Sequence, residues 1–131
     1  MDAEPFIATR NHHNSELAED YVEVVHDLLQ QNEEVRVCDI AGRMGVSHVT
    51  VIRTLDRLKK RGYFQDVPDI LLTAEGRALA VRCKERHTFL VGYLMALGVP
   101  EAVAKIDVEG MEHHVSLETL TAFKKQLDKK S

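Results

Sequence analysis

The sequence predicts a mainly α-helical fold in two parts, and three observations favour it. Apolar residues recur at steps of three and four residues in several segments, as on the buried face of a helix. Glycine, serine and proline residues separate these segments at helix-sized intervals. The hydrophobic fraction of 44% and the charged fraction of 29% in 131 residues suit a folded protein, and neither a membrane protein nor a disordered chain.

The first predicted helix covers residues 16–31, because Tyr21, Val25 and Leu28 fall on one face. Residues 1–15 lack apolar periodicity, which predicts a flexible lead-in. This stretch also lacks the basic-then-apolar order of a signal peptide, and no segment reaches the roughly 18 apolar residues of a membrane helix. The sequence therefore predicts a cytoplasmic protein that has no membrane partner.

Residues 39–51 have the spacing of a helix-turn-helix motif. Residues 35–44 form the first predicted helix of the motif, and Gly45 ends it as a C-cap glycine. Ser47 caps the second helix, which runs to Gly62, and the small side chain of Ala41 allows the two helices to approach closely. The apolar face of the second helix is expected to consist of Val51, Ile52, Leu55 and Leu58.

The helical pattern stops after Gly62, where residues 63–66 and 70–73 predict two short strands around a turn at Pro68. This hairpin would be the wing of an N-terminal winged helix-turn-helix. Residues 74–97, 101–114 and 117–127 predict three further helices, which would form a C-terminal all-helical dimerisation domain. The predicted domains are therefore residues 16–73, which contain the helix-turn-helix and its wing, and residues 74–131, which are helical.

The net charge of −4 argues against a nucleic-acid partner until its distribution is considered. Residues 43–62 contain six cations and one anion, a local balance of +5, which leaves −9 for the rest of the chain. The cations share the element that would face phosphate, so we expect double-stranded DNA as a partner. The predicted DNA-contacting residues are Ser47, His48, Val49, Thr50, Arg53, Arg57, Lys59 and Lys60.

One recognition helix contacts only a few base pairs, so sequence-specific binding calls for two copies related by a dyad. The sequence therefore predicts a homodimer on a palindromic operator, with no small organic substrate. A protein-interaction module that uses the same fold is one alternative. A metal-independent winged-helix adaptor module is another, and DNA binding in the presence of a chelator distinguishes it from a metal sensor.

Carboxylates and imidazoles cluster at helical spacings in three places, and together they indicate a metal site. Such a hard, oxygen-rich set suits Mn(II) or Fe(II) better than zinc, and four carboxylates could hold two ions. Each group alone would be an ordinary solvated helix face. The candidate ligands are Asp20, Glu23, His87, Glu109, Glu112 and His113.

Helical carboxylate and histidine pairs also form the di-metal centres of carboxylate oxidases, so an enzyme is a second alternative. The helical bundles of these oxidases use two Glu-x-x-His sets on four facing helices, whereas this chain has one comparable set. Much of the chain also belongs to the predicted winged helix. A regulator is therefore favoured over an enzyme.

The chain resembles the manganese-responsive regulators of the diphtheria toxin repressor family over roughly residues 16–127. The most specific motif is the string Asp107-Val108-Glu109-Gly110-Met111-Glu112-His113-His114-Val115-Ser116. Four further segments carry the resemblance: residues 19–23, 37–62, 72–76 and 85–87.

The resemblance implies a homodimeric repressor of manganese uptake genes that binds operator DNA when it is loaded with Mn(II). The two-metal site of the family matches the six candidate ligands residue by residue. Iron-responsive relatives carry a softer sulfur ligand at the position of Glu112, so the carboxylate favours manganese, with Fe(II) as the alternative. Residues 65–69 are acidic where a basic wing tip would grip phosphate, which leaves a wing contact to DNA open.

Overall fold

The computed structural model describes the backbone of residues 4–130 and the side chains of residues 15–129. The described helices are α1 (Glu4–Gln31), α2 (Val37–Met44), α3 (His48–Lys60), α4 (Ala74–Ala96), α5 (Glu101–Met111) and α6 (Leu117–Lys130). The mainly helical fold is confirmed, and apart from the start of α1 the predicted helix ends lie within a few residues of these bounds. None of the described helices is long and apolar enough to cross a membrane.

The chain divides into two compact units, one ending at Cys83 and the other beginning at Lys84. The division falls inside α4, whereas the predicted domain boundary precedes that helix at residues 73 and 74. The domain boundary therefore stays a prediction.

α1 starts much earlier than the sequence predicts. The helix begins at Glu4, so the expectation of a flexible lead-in over residues 1–15 is wrong from residue 4 onward. Pro5 lies in the first turn, where the missing N–H of proline removes no helical hydrogen bond. Residues 9–14 are polar and carry no apolar stripe, so periodicity could not detect this part of the helix.

The core of the first unit includes buried residues from α1, α2 and α3. Tyr21, Val25 and Leu28 of α1 are buried, as the helical spacing predicted. Ile40 of α2 and Val51 of α3 are fully buried in the same hydrophobic cluster. Burying an aliphatic side chain of this kind contributes roughly 1.5–3 kcal/mol, so this cluster holds the three helices together.

The turn between α2 and α3 is formed by two capping residues. Gly45 adopts the left-handed conformation with φ of 68°, and its N–H donates to the carbonyl of Ala41 at 2.9 Å. Ser47 precedes α3, and its Oγ accepts a hydrogen bond from the Thr50 N–H at 3.1 Å. Both predicted caps are therefore confirmed.

The segment between α3 and α4 is less regular than a hairpin of two strands. The residues described here hold one isolated antiparallel bridge, between Phe64 and Leu72. The Gln65 N–H also donates to the carbonyl of Leu71 at 2.9 Å. The Val67 N–H donates to the Gln65 carbonyl at 2.9 Å, so the chain turns tightly before Pro68 and does not continue the ladder. The two predicted strands are thus reduced to one bridge, and a wing stays a prediction.

The start of α4 is tied to this bridge by Thr73 and Gly76. The Thr73 hydroxyl donates to the Gly62 carbonyl at 2.6 Å and accepts from the Gly76 N–H at 3.0 Å. A Cβ at Gly76 would overlap the carbonyl oxygen of Tyr63. Glycine is therefore required where the first turn of α4 approaches the backbone after α3.

The second unit contains the later part of α4 together with α5 and α6. Leu90 of α4 is fully buried, as are Ala104 and Val108 of α5. Tyr93 of α4 stacks on Phe123 of α6, with ring centroids 4.6 Å apart. This stacking fixes α6 against α4 within the unit.

Candidate nucleic-acid interface and metal centre

α3 separates an apolar side from a polar, cationic side. The buried side follows the spacing i, i+3, i+4 and i+7 and consists of Val51, Thr54, Leu55 and Leu58. Most of the predicted DNA-contacting residues are exposed: Ser47, His48, Val49, Thr50, Arg53, Arg57 and Lys60. The structure therefore leaves these side chains accessible on the element that the sequence assigned to the major groove.

The first turns of α3 are held by a chain of hydroxyl groups. The hydroxyls of Ser47 and Thr50 lie 2.9 Å apart, and the Thr54 hydroxyl donates to the Thr50 carbonyl at 2.8 Å. These bonds restrict the conformations of the turn that carries His48 and Val49. A recognition helix with a fixed first turn loses little conformational entropy when it binds.

Ile52 does not pack inward as the sequence predicts. Its spacing places it on the expected apolar face, but its side chain is 49% exposed. Thr54 occupies the inward position instead, because its hydroxyl is satisfied by the Thr50 carbonyl. Ile52 therefore lies on the accessible side of α3, beside residues predicted to contact DNA.

Lys59 differs from the other predicted DNA-contacting residues. It is half-buried, and its Nζ donates to the carbonyl of Val67 at 3.2 Å. The bond joins α3 to the acidic segment of residues 65–69, which is exposed throughout. Lys59 is thus a structural link between α3 and this segment, in addition to any phosphate contact.

The remaining cations near α3 have neighbours within the first unit. Arg61 lies over the Tyr63 ring at 5.5 Å from its centroid, and Arg43 pairs with Asp27 at 3.8 Å. Both members of the Arg43 pair are more than 40% exposed, so the pair contributes little stability. The positive charge of this region therefore remains accessible to an anionic partner.

Three of the predicted metal ligands come together in the second unit. Glu112 Oε2 lies 2.7 Å from Nδ1 of His87, and Glu112 Oε1 lies 3.5 Å from Nε2 of His113. The side chains of Glu112 and His113 are 7% and 3% exposed, and that of His87 is 34% exposed. One buried carboxylate thus has an imidazole nitrogen near each of its oxygens.

Local helix geometry explains this arrangement. Glu112 caps α5, and its N–H donates to the Val108 carbonyl at 2.9 Å, which fixes the backbone beside the cluster. Glu109 lies one turn earlier, on α5, and is exposed. His87 comes from α4 of the same unit. The sequence proposed all three residues of the cluster as ligands, and the structure brings His87 of α4 beside Glu112 within the second unit.

The other two predicted ligands, Asp20 and Glu23, belong to the first unit. They lie three residues apart on α1, so they emerge on neighbouring parts of one helix face. Both side chains are half-buried. Their assignment as ligands stays a prediction.

The side chains of the His87, Glu112 and His113 cluster suit a divalent metal of intermediate or hard character. The cluster offers imidazole nitrogen and carboxylate oxygen and contains no sulfur. Nitrogen and oxygen donors of this kind suit Mn, Fe and Zn, and carboxylate oxygen favours the harder ions. The cluster therefore fits the metal that the sequence analysis implied.

Two family models match successive parts of the chain. The iron-dependent repressor N-terminal DNA-binding domain matches residues 13–70, and the iron-dependent repressor metal-binding and dimerisation domain matches residues 73–130. The chain belongs to the iron-dependent repressor family. The predicted membership of the diphtheria toxin repressor family is confirmed, and the protein is a metal-responsive, DNA-binding transcriptional regulator.

Individual relatives of this repressor family agree with that assignment. The transcriptional regulators MntR of Escherichia coli and Salmonella typhimurium are each 46% identical to this chain, which they match over 92% of its length and 79% or 78% of their own. A Listeria welshimeri regulator, also named MntR, is 34% identical over 75% of the chain and 70% of its own length.

A solved structure supports the same fold. The manganese regulator SloR is 25% identical to this repressor-family chain, with a TM-score of 0.72 over 85% of it. The chain spans about half of the SloR chain, 53% of its length. The relatives are transcriptional regulators, so an enzyme is not favoured.

Proposed function

We propose that this protein is a homodimeric, Mn(II)-activated repressor that binds a palindromic operator and controls manganese uptake genes. The observation that carries the proposal is Glu112, a buried carboxylate placed between two imidazoles. A hard oxygen donor at this position suits Mn(II), which lies lowest in the divalent affinity order and gains least from soft ligands. The relatives named as manganese regulators support the same metal.

The proposed ligands to two Mn(II) ions are Asp20, Glu23, His87, Glu109, Glu112 and His113. Two divalent ions supply a charge of +4, which offsets the four carboxylates of this set. Offsetting that charge makes the subunit less repulsive towards DNA. Metal binding and operator binding are then coupled, so operator DNA should tighten metal binding by the same factor as metal tightens DNA binding.

The proposed homodimer explains apolar side chains that the second unit leaves exposed. Val103 and Ile106 of α5 and Leu117 of α6 are exposed, and the exposed fraction is highest for Leu117, at 78%. A second copy that covers such residues would remove apolar surface from water. Two copies related by a dyad would place two α3 helices on the two halves of a palindromic operator.

The test is a DNA-binding titration against a random oligonucleotide pool with Mn(II), Fe(II), Zn(II) or chelator. We expect Mn(II) to enrich a palindromic sequence and chelator to enrich none. Equal enrichment with chelator would contradict a metal-activated regulator and favour the metal-independent module.

The same titration shows whether Mn(II) or Fe(II) activates operator binding. Activation by Fe(II) together with no activation by Mn(II) would contradict the manganese assignment and leave the iron-responsive alternative. A matched control is His114→Ala, because His114 adjoins the cluster in sequence, is exposed and is not a proposed ligand. This variant should retain the Mn(II) response.

A further inference from the structure

The accessible side of α3 carries aliphatic side chains among its cations. Ile52 is 49% exposed and Val49 is 56% exposed. The two residues are three positions apart, so their side chains are neighbours on the helix, and Arg53 follows at four positions from Val49. The accessible side of α3 is therefore partly apolar at its N-terminal end.

The charges around Ile52 identify the chemistry of its partner. Arg53, Arg57 and Lys60 are exposed on the same helix, and a cationic surface of this kind binds phosphate-bearing partners. In the major groove of DNA, the apolar group available to a side chain is the C5 methyl of thymine. An exposed aliphatic side chain among these cations can therefore contact a thymine methyl group while the cations bind phosphate.

We propose that Ile52 is a specificity-determining residue that recognises a thymine methyl group in each operator half-site. The proposal rests on the proposed operator binding and adds a base preference to it. Arg53 would contribute hydrogen bonds to a base edge, whereas Ile52 would contribute a methyl–methyl contact that cytosine cannot supply. The contact would also remove the exposed part of Ile52 from water.

The test replaces single thymines by uracil in an operator selected with Mn(II). Uracil keeps the hydrogen-bonding groups of thymine and lacks only the methyl group. We expect one thymine of each half-site at which uracil weakens wild-type binding about fourfold, the factor that corresponds to one buried methyl group. The Ile52→Ala variant should bind the thymine and uracil operators equally at that position.

Two controls isolate the contact. Val81→Ala removes an exposed aliphatic side chain from α4 of the same unit and should leave every thymine–uracil difference unchanged. Val49→Ala should leave the position assigned to Ile52 sensitive to uracil. Circular dichroism should show the same unfolding temperature for Ile52→Ala and wild type, since surface substitutions rarely unfold a protein.

The outcomes separate this inference from the function on which it rests. Wild-type protein that fails to bind any operator with Mn(II) would overturn both. Operator binding that is insensitive to uracil at every thymine would overturn the role of Ile52 alone. Ile52→Ala with an unchanged uracil effect would also overturn it, because another residue would then contact the methyl group.

Discussion

Glu112 Oε2 lies 2.7 Å from Nδ1 of His87, in a cluster where the other oxygen of Glu112 faces His113 at 3.5 Å. The contact joins α4 to the C-cap of α5 within the second unit. A carboxylate offers two separate hard oxygen donors, whereas a thiolate offers one soft sulfur donor. The identity of residue 112 is therefore expected to affect both metal preference and the number of ions held.

Removing the side chain of Glu109 or of His113 should weaken the response to every metal. We expect Glu109→Ala and His113→Ala each to raise the free Mn(II), Fe(II) or Zn(II) needed for operator binding by about tenfold or more, since each removes a donor and supplies none. Fluorescence anisotropy of labelled operator at buffered free metal measures this. A loss confined to one metal would contradict a shared site, and His114→Ala is the matched control.

Arg53 and Lys60 should contribute to DNA binding in different ways. Arg53 lies in the second turn of α3, and a bidentate contact to a base is worth roughly 1–3 kcal/mol, so Arg53→Ala should relax sequence preference at one position. Lys60 lies at the end of α3, so Lys60→Ala should lower affinity for all sequences and reduce the salt slope by about one.

Operator binding at several salt concentrations and with single base changes distinguishes these two effects. A specificity change in Lys60→Ala with an unchanged salt slope would contradict the placement of α3 along the groove.

Lys59 should stabilise the segment of residues 65–69. Its ammonium donates to the Val67 carbonyl, so Lys59→Ala should speed hydrogen–deuterium exchange of the Gln65 amide, which the bridge region protects. Mass spectrometry of the peptide that contains Gln65 measures the rate. Lys60→Ala, which changes an exposed neighbour, should leave the rate unchanged, and equal rates in all three proteins would show that the Lys59 bond has no role in this segment.

Gly76 should be required for the stability of the first unit. We expect Gly76→Ala to lower the free energy of unfolding by about 1–3 kcal/mol or more, because the new Cβ would displace the Tyr63 carbonyl. Gly42→Ala is the matched control, since Gly42 is in α2 with open space around it. It should raise the free energy of unfolding by roughly 0.5–1 kcal/mol. Urea denaturation compares the two, and a neutral Gly76→Ala would contradict the close approach.

Local signals allowed the helix-turn-helix to be predicted from the sequence. Ser47 and Gly45 act on their own backbone neighbourhood, so their residue types indicate the cap and the turn directly. The positive charge of α3 could also be predicted from the sequence, because its cations lie on successive turns of one helix. The proposed α5 ligands followed from the same local spacing.

Other features depend on contacts that residue types do not encode. Ile52 has the composition of a core residue, and periodicity cannot distinguish an apolar side chain that packs inward from one available to DNA. The start of α1 was missed because its first residues have no apolar stripe. The bond between Lys59 and Val67 joins two elements and required their placement in space.

The most direct test of the manganese assignment is operator binding by Glu112→Cys at fixed free metal. A thiolate binds softer and later metals more strongly than a carboxylate does, so the variant should need about tenfold or more Mn(II) while it retains or gains a response to Fe(II), Co(II) or Zn(II). Wild-type protein under the same conditions should bind the operator in response to Mn(II). An undiminished Mn(II) response in Glu112→Cys would contradict the account, because residue 112 would then not select the metal.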